Sequence, residues 1–302
     1  MGKIVILGVF VADTTYRASR VPKMGETILG NSFILGPGGK GSNQAVAAGN
    51  LGADVTIITR LADDDFGKMA LQTWESANVK GAVKYSSDSY TGAAFIFVDD
   101  NTGDNAIIIS PGAASEISLK DIHDNSETIS STDVFLTQLE QPIDVAHEGL
   151  KIAKNNGKIT ILNPAPAASL PKEIFSLCDF ITPNETETEA LTGLPVRNEE
   201  EAKIAAKFLN ELGVKTPIIT MGEQGAFLHE YGLIPALRVG KVVETTGAGD
   251  AFNGGFAVAL SEGKTALEAV KFGCAAASIS VTRAGTAPAM PTRDEVEKIL
   301  TI

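Results

Sequence analysis

Short apolar runs alternate with helical segments along most of this 302-residue chain, and this alternation constrains the fold more than any other feature. Lys3 to Gly8 is a continuous apolar run of the kind found in strands that are buried on both faces. From Ser118 onward the rhythm is regular. Further strands are predicted at 55–59, 134–139, 158–162, 180–182, 217–220, 226–229 and 239–243, with helices between most of them. Strand–helix alternation favours an α/β fold, so we expect a doubly wound, mostly parallel sheet flanked by helices.

A β-rich pattern without helices interrupts this rhythm. Thr91 to Val98 and Ala106 to Ser110 are two such runs, joined by the polar turn 99–105. Because no helix lies on either side, the hairpin is expected outside the parallel sheet. We pair it with the segment 11–35, in which 27–35 has the composition of a strand. The prediction is one domain over 1–302 with a small inserted β-sheet lid formed by about 11–35 and 91–110.

Composition excludes several classes of protein. The formal net charge is −12 and no block of Lys or Arg occurs, which argues against a nucleic-acid partner. Cys178 and Cys274 are the two cysteines, without paired spacing, as suits a reducing compartment. The apolar opening run is better explained as a strand than as a signal peptide, and no stretch reaches the ~18 residues of a membrane span. We therefore expect a cytoplasmic protein with no membrane partner.

A glycine-rich segment near the C-terminus, Thr245 to Asp250, is typical of an anion site. It contains Gly247, Ala248 and Gly249 directly before a small-residue run that is predicted to be a buried helix. Free N–H groups and the helix dipole at such a position bind phosphate. A carboxylate there is often only a helix cap. Placed directly after Gly-Ala-Gly, Asp250 is interpreted instead as a general base beside a phosphate site.

A second glycine-rich segment, 36–44, matches two known motifs poorly. Its Gly-x-Gly-x-x-Gly spacing follows the irregular β-rich region rather than an opening βαβ unit, which disfavours a nicotinamide oxidoreductase. A P-loop would require glycine at Ile34 and Ser or Thr at Gly41. Ligands of open α/β sheets bind at the carboxyl ends of strands. Loops around Asp13, 38–43, Glu140, 184–187 and 247–250 all follow predicted strands and are expected to converge on one cleft.

Three separated motifs give the chain a resemblance to the ribokinase-like (PfkB) carbohydrate kinase family. The motifs are Gly38 to Ala45, Thr245 to Gly254 and Asn184-x-x-Glu187, and they occur in the family's order over nearly the whole chain. The resemblance implies ATP-dependent transfer of a phosphoryl group to the primary hydroxyl of a small sugar, with D-ribose as first choice. It also implies Mg²⁺, a monovalent cation such as K⁺, and a homodimer formed through the β lid.

The resemblance also implies residue roles. Asp250 would take the proton from the sugar hydroxyl, and the backbone of Gly247, Ala248 and Gly249 would hold the transferred phosphoryl group. Sugar contacts would come from Val11, Asp13, Gly39, Lys40, Gly41, Ser42, Asn43, Glu140 and Asp250. The nucleotide would contact Asn184, Glu187, Thr220, Met221, Gly222, Glu223, Gln224, Gly225, Gly249 and Asp250, with Glu187 acting through magnesium and its waters. The monovalent cation would lie near Glu244, Thr246, Ser280, Arg283, Gly285 and Ala289.

Two departures from the family pattern bear on these roles. Val11 stands where an Asn usually contacts the sugar, which leaves 2-deoxyribose or another small sugar as an alternative substrate. Glu244 replaces the usual Asp before the anion site. A non-catalytic sugar sensor is the alternative from another class, and it is disfavoured because it would need neither Asp250 nor an intact anion site.

Overall fold

The computed structural model describes residues 1–301. Its strands are β1 (Lys3–Leu7), β2 (Val11–Ala18), β3 (Ser32–Gly38), β4 (Asp54–Ala62), β5 (Val79–Ser86), β6 (Thr91–Asp99), β7 (Asn105–Gly112), β8 (Val134–Thr137), β9 (Ile159–Leu162), β10 (Phe180–Ile181), β11 (Thr216–Thr220), β12 (Ala226–Leu228) and β13 (Gly232–Ile234). Its helices are α1 (Lys40–Asn50), α2 (Asp65–Ser76), α3 (Leu119–Asp124), α4 (Ser126–Ser130), α5 (Ile143–Asn155), α6 (Glu173–Ser176), α7 (Glu185–Thr192), α8 (Glu199–Glu211), α9 (Ala248–Ser261), α10 (Ala266–Ser280) and α11 (Arg293–Leu300).

Nine strands form the large sheet, in the order β13-β12-β11-β10-β9-β8-β1-β4-β5. Every pair from β11 to β5 is parallel, and only the β11–β12 and β12–β13 pairs at one edge are antiparallel. The predicted mostly parallel sheet is therefore confirmed. Parallel strands need crossover connections, which the helices supply.

Helices cover both faces of this sheet, as the alternation of side chains along β1 demonstrates. Ile4 and Ile6 belong to a core cluster that includes residues of α1, α9 and α10. Val5 and Leu7 point the other way, into a second cluster with residues of α5 and α8. Successive strand residues alternate between faces, so β1 is buried on both sides. The doubly wound arrangement predicted from the sequence is present.

The small sheet has the order β3-β2-β6-β7 and is separate from the large one. The β2–β3 and β6–β7 pairs are antiparallel, whereas β2 and β6 run parallel. The hairpin β6–β7 and the region after β1 thus come together in one sheet, as expected.

The helices α1 and α9 pack closely because small residues line their contact. A Cβ added to Gly254 of α9 would lie 2.6 Å from the Cβ of Ala47 in α1. A Cβ on Gly273 of α10 would lie 2.9 Å from the ring of Phe252 on the other side of α9. Real Cβ atoms rarely approach so closely, so glycine sets the spacing of these helices. This spacing brings the N-termini of α1 and α9 together.

Two strand predictions differ from the structure, and the strands β5 and β13 were not predicted. The expected strand at 239–243 is absent from the described residues; Val242 and Val243 are exposed, and the N–H of Val243 bonds to the carbonyl of Val281 at the end of α10. The strand expected at 27–35 lies at Ser32–Gly38. The edge strand β5 was not predicted, because exposed residues break its apolar pattern. Within residues 1–301, no helix combines the length and apolarity needed to cross a membrane.

Candidate active site

A cavity of about 150 Å³ lies at the carboxyl end of the large sheet, where the N-termini of α1, α7 and α9 meet. Loops that follow β9, β10 and β11 form one side, and the glycine-rich start of α9 forms the other. The lining residues are Lys40, Asn163, Ala165, Thr182, Asn184, Glu187, Thr220, Gly247, Gly249, Asp250 and Asn253. Three of the five polar loops predicted to converge therefore line one cavity.

The start of α9 is arranged as an anion site. Gly247 adopts φ 80°, a left-handed conformation that suits glycine, and α9 begins at the next residue. The N–H of Ala248 donates to the carbonyl of Thr245 at 3.2 Å. Among the described residues, the N–H groups of Gly247 and Gly249 have no hydrogen-bond acceptor. Two backbone donors at a helix N-terminus are therefore free to bind an anion.

Asp250 lies in the first turn of α9 and is buried beside this anion site. Its Oδ2 accepts a hydrogen bond from Nδ2 of Asn43 and its Oδ1 accepts one from Nε2 of Gln44, each at 3.0 Å. Burial raises the pKa of Asp250, while Lys40 and the two amides oppose that rise. A buried carboxyl with a raised pKa is suited to general-base catalysis.

Lys40 carries the positive charge next to the carboxylates of the site. Burial alone would lower the pKa of Lys40, but the charges of Asp250, Glu140 and Glu187 outweigh burial and raise it. The side chain therefore remains an ammonium group. It balances negative charge in a cavity that would also receive phosphate.

Two further carboxylates lie at the base of the small sheet. Oε2 of Glu140 accepts a hydrogen bond from the N–H of Lys40 at 2.8 Å, and burial raises the pKa of Glu140 to about 7. Burial and the charge of Asp250 raise the pKa of Asp13 to about 6. The Asp13 carboxylate lies against Gly38, where an added Cβ would be 2.2 Å from Oδ2. Only glycine at 38 leaves room for this carboxylate.

The first cleft helix approaches the large sheet through glycines. Gly39 adopts φ 90°, and a Cβ there would lie 2.5 Å from the carbonyl oxygen of Val9. Gly41 packs against Gly8, with 2.6 Å between its added Cβ and the Gly8 Cα.

Two of the predicted ligand residues, Ser42 and Met221, have side chains that lie in the interior. Ser42 is fully buried, its Oγ accepts a hydrogen bond from the indole of Trp74 at 2.9 Å, and its N–H donates to Val9. Met221 is also buried and packs in a core cluster with Ile219 and Phe227. The side chains of Ser42 and Met221 therefore stabilise the fold. A residue's position within a motif did not indicate whether its side chain points toward the ligand or into the protein interior.

The predicted nucleotide residues follow β10 and β11. Oδ1 of Asn184 accepts a hydrogen bond from the N–H of Glu187, and Oε2 of Glu187 accepts one from the N–H of Asn184, both at 2.8 Å. This capping box fixes the start of α7, while both residues and Thr220 line the cavity. The following turn spans Gly222–Gln224 and ends at Gly225, which adopts φ 113°. Asn184 and Glu187 can both cap the helix and contact a ligand, because each side chain uses one polar atom for the cap and has a second polar atom left for the ligand.

The predicted cation residues come together only in part. Oε2 of Glu244 accepts a hydrogen bond from the N–H of Gly285 at 2.8 Å. The side chain of Arg283 pairs with Glu295, and the hydroxyl of Ser280 bonds back to Ala277 within α10. Thr246 is exposed, whereas Ala289 is buried in a short turn. Among residues 1–301, no cluster of three or more His, Cys, Asp or Glu side chains is arranged to hold a metal ion.

A network of buried polar side chains at the wall of the cavity was not predicted. Gln44 bonds to both Asp250 and Asn163, and Asn163 donates to the carbonyl of Thr182. Thr182 donates in turn to Asn253 of α9 at 2.7 Å. The signal available in the sequence was position, since Asn163 directly follows the predicted strand 158–162 and Thr182 is the last residue of the predicted strand 180–182. Such residues at strand ends are candidates even when no motif includes them.

Comparison with known proteins agrees with this geometry. The pfkB family carbohydrate kinase model matches residues 1–293. The chain is 40% identical over 301 residues to a ribokinase of Haemophilus influenzae, covering 98% of each chain, and 35% identical over 304 residues to a deoxyribokinase of Salmonella typhi, covering 99% of each. The solved structure of Arabidopsis thaliana ribokinase complexed with ribose and ATP superposes with a TM-score of 0.93 at 32% identity, covering 100% of both chains. The chain therefore belongs to the pfkB family of carbohydrate kinases.

Proposed function

We propose that the protein transfers the γ-phosphoryl group of ATP to the primary hydroxyl of D-ribose, giving ribose 5-phosphate. The observation that carries this proposal is the buried Asp250 carboxylate beside the free N–H groups of Gly247 and Gly249. The pairing places a proton acceptor next to donors that neutralise a transferring phosphoryl group. Phosphoryl transfer depends mainly on such positioning and charge stabilisation. The relatives named ribokinase support the choice of sugar.

The sugar is proposed to bind between the small sheet and the start of α1. Asp13, Lys40, Asn43 and Glu140 offer carboxylates, an ammonium group and an amide, which suit hydroxyls that both donate and accept. Oδ1 of Asn43 is buried without a hydrogen-bond partner. A buried acceptor of this kind is costly unless a ligand satisfies it. A sugar hydroxyl would supply the missing donor.

The nucleotide is proposed to occupy the side of the cavity formed by Asn184 and Thr220 and to extend over the turn that follows β11 and ends at Gly225. Mg²⁺ fits this side because it prefers oxygen ligands and retains several waters. Glu187 lines the cavity and uses Oε2 for its capping bond, which leaves a second carboxylate oxygen for a metal-bound water. When bound, Mg²⁺ would neutralise charge on the ATP phosphates.

A monovalent cation such as K⁺ is proposed to bind near Glu244 and Gly285. A carboxylate and nearby carbonyl oxygens are suitable ligands for a hard cation. Gly285 and Thr286 lie in the loop after α10. This loop also contacts the anion site, because a Cβ added to Gly247 would lie 3.4 Å from Thr286. Binding there would order the loop next to the anion site.

The small sheet is proposed to act as a lid over the sugar and as the interface of a homodimer. Gly38 and Gly39 join it to α1, and Asp13 on β2 brings it to the cleft. Large apolar side chains are exposed on its strands, including Phe33, Ile34, Ile107, Ile108 and Ile109. Exposed apolar patches of this kind mark interaction surfaces.

A coupled ADP-release assay across D-ribose, 2-deoxyribose, hexoses and nucleosides tests the proposal. Ribose should give the highest kcat/KM, and release should require both ATP and the sugar. Binding of both ligands without turnover would instead support the sugar sensor. A thermal shift with NAD but not with ATP would contradict the kinase proposal altogether.

Val11 favours 2-deoxyribose as the second candidate substrate. Side chains alternate along a strand, so Val11 and Asp13 share one face of β2. Val11 is 5% exposed, and its Cγ1 lies 3.0 Å from where a Cβ of Gly92 would be. An apolar side chain cannot pair with a hydroxyl, and the deoxyribokinase relative supports the same candidate.

A further inference from the structure

Gln44 connects Asp250, the candidate general base, to buried amides of the protein interior through hydrogen bonds. It follows Asn43 on α1, and it is completely buried. Its Nε2 donates one hydrogen bond to Oδ1 of Asp250 and another to Oδ1 of Asn163, each at 3.0 Å. Its Oε1 accepts from Nε2 of Gln138 at 2.5 Å. All three of these Gln44 contacts span large sequence separations, so the residue ties α9 and the loops after β8 and β9 to α1.

The charge of Asp250 determines the direction of every amide in this chain of hydrogen bonds. A carboxylate only accepts hydrogen bonds, so the NH₂ group of Gln44 must face it. The carbonyl of Gln44 then faces Gln138, which must present its own NH₂ group. The remaining oxygen of Gln138 is buried without a hydrogen-bond partner, against Gly8 and Gly41. The arrangement leaves an acceptor unpaired in order to keep a donor directed at Asp250.

The two oxygens of Asp250 therefore have different surroundings. Oδ1 is held from the interior by Gln44, while Oδ2 is held by Asn43, a proposed sugar contact. We propose that Gln44 is a positioning residue for phosphoryl transfer, fixing Oδ1 in the interior so that Oδ2 meets the attacking sugar hydroxyl. This inference rests on the proposed function. In the reaction, the hydroxyl proton passes to Asp250 as the sugar oxygen forms its bond to the γ-phosphorus and the bond to ADP breaks.

The test begins with Gln44→Met, which retains the length of the side chain and removes its polar atoms. The kcat at saturating ribose and ATP should fall about 10–100-fold, the effect of losing a hydrogen bond to a charged group. The KM for ribose should change much less. The acidic limb of kcat against pH should move up by about one unit, because a hydrogen bond to the charged form favours that form. Lys40, Asp13, Glu140 and Glu187 also interact with the charge of Asp250 and are unchanged in the variant.

A double variant separates positioning from stability. Gln44→Met leaves the NH₂ group of Gln138 buried without an acceptor, so Tm should fall. Adding Gln138→Met removes that donor and should recover part of Tm while the acidic limb stays shifted. Gln141→Met is the matched control: Gln141 is buried nearby, and its amide bonds to Thr137 and the carbonyl of Gln138 rather than to Asp250. It should lower Tm without moving the limb.

An unshifted acidic limb in Gln44→Met, or a limb that returns to the wild-type position in the double variant, overturns the inference. If Gln44→Met does not fold, Gln44→Glu replaces it. Glu retains an acceptor for Gln138 but directs a carboxylate at Asp250, so the limb should move further upward; an unshifted limb again overturns the inference. Wild-type protein that turns over no sugar would refute the proposed function itself, whereas an active wild type with unshifted variants refutes only the role of Gln44.

Discussion

At the scale of single residues, Asp250 is the side chain on which the proposed chemistry depends. Asp250→Asn retains the shape and removes the proton acceptor, and kcat should fall by about 10²–10⁴-fold, as for other general bases. Ribose binding should weaken less, because Lys40, Asn43 and Glu140 remain. Steady-state kinetics with titration calorimetry for ribose would measure both effects. Near-normal turnover in the variant would exclude Asp250 as the base.

The raised pKa of Glu140 predicts how the stability of the protein depends on pH. Its pKa is raised from 4.5 to about 7 in the folded protein, so between these values the folded state binds more protons than the unfolded state. Its contribution to stability is therefore present below about pH 4.5 and is lost as the pH rises through about 7. Glu140→Gln does not titrate, so its stability relative to wild type should increase over this range. One pKa unit corresponds to about 1.4 kcal/mol, which limits the gain to roughly 3 kcal/mol, and partial exposure reduces it.

Urea unfolding of the ligand-free protein at pH 4.5, 6 and 8 would measure this difference. A constant difference across the three values would contradict the buried position of the carboxyl. An equal change on neutralising the exposed Glu127 would assign the effect to the net charge of −12 instead.

In the proposed reaction, Val11 bears on the choice between ribose and 2-deoxyribose. A sugar hydroxyl that faces Val11 without a partner costs about 1–3 kcal/mol. Val11→Asn should therefore raise the ratio of kcat/KM for ribose to that for 2-deoxyribose, measured by ADP release with each sugar. An unchanged ratio would mean that position 11 does not face the sugar.

At the scale of elements, the connection from the small sheet to α1 carries its own prediction. Gly39→Ala places a Cβ 2.5 Å from the carbonyl of Val9 at a φ of 90°, where L residues are strained by about 1–3 kcal/mol. Tm should fall, and both kcat and ribose affinity should suffer because the start of α1 shifts. Gly36→Ala is the matched control, since a Cβ there meets nothing within 4 Å. Differential scanning calorimetry and kinetics on both variants would test this, and equal behaviour of the two would refute it.

Elements with strong local signals could be predicted from the sequence. The sequence predicts a helix over 143–155, and Thr292 followed three residues later by Glu295 predicts a capping box. The structure has a helix with those bounds, α5, and the capping box at the start of α11. The run 239–243 shows the limit of this approach. The apolar composition of a segment indicates that its side chains could be buried. It does not indicate whether a neighbouring strand is available to pair with the segment. Val242 and Val243 are instead exposed.

Contacts within the site were harder to predict than its location. Polar loops after strands indicated the correct end of the sheet, because that rule follows from topology alone. The partners did not follow: Asn43 and Asp250 are 207 residues apart, and Gln44 and Asn163 are 119 apart. The inward direction of Ser42 likewise depends on the packing of α1 against Trp74. Such contacts are set by helix spacing, which no local pattern records.

At the scale of the whole molecule, an acidic protein handles phosphate by local means. The protein has a net charge of −12 and therefore repels the ATP anion at long range. ATP binding must depend on hydrogen-bond donors and positive charge concentrated in one cleft. The N-terminus of α9 and the half-buried Lys40 supply them. The ammonium group of Lys40 also balances part of the negative charge of Asp250, Glu140 and Glu187, which allows these carboxylates to lie close together.

The exposed apolar surface of the small sheet yields the final prediction. Ile107, Ile108 and Ile109 of β7 are 52%, 66% and 55% exposed, which is unusual for three successive isoleucines. If a second copy of the chain covers this surface, light scattering of the wild type should give twice the mass of one chain. Ile108→Asp buries a charge in that interface and should give the monomer mass at the same concentration. Tyr231 is 62% exposed in the turn between β12 and β13 of the large sheet, outside the small sheet, so Tyr231→Asp should leave the dimer intact. A wild type that is monomeric at the concentrations used for assay would contradict the proposed dimer.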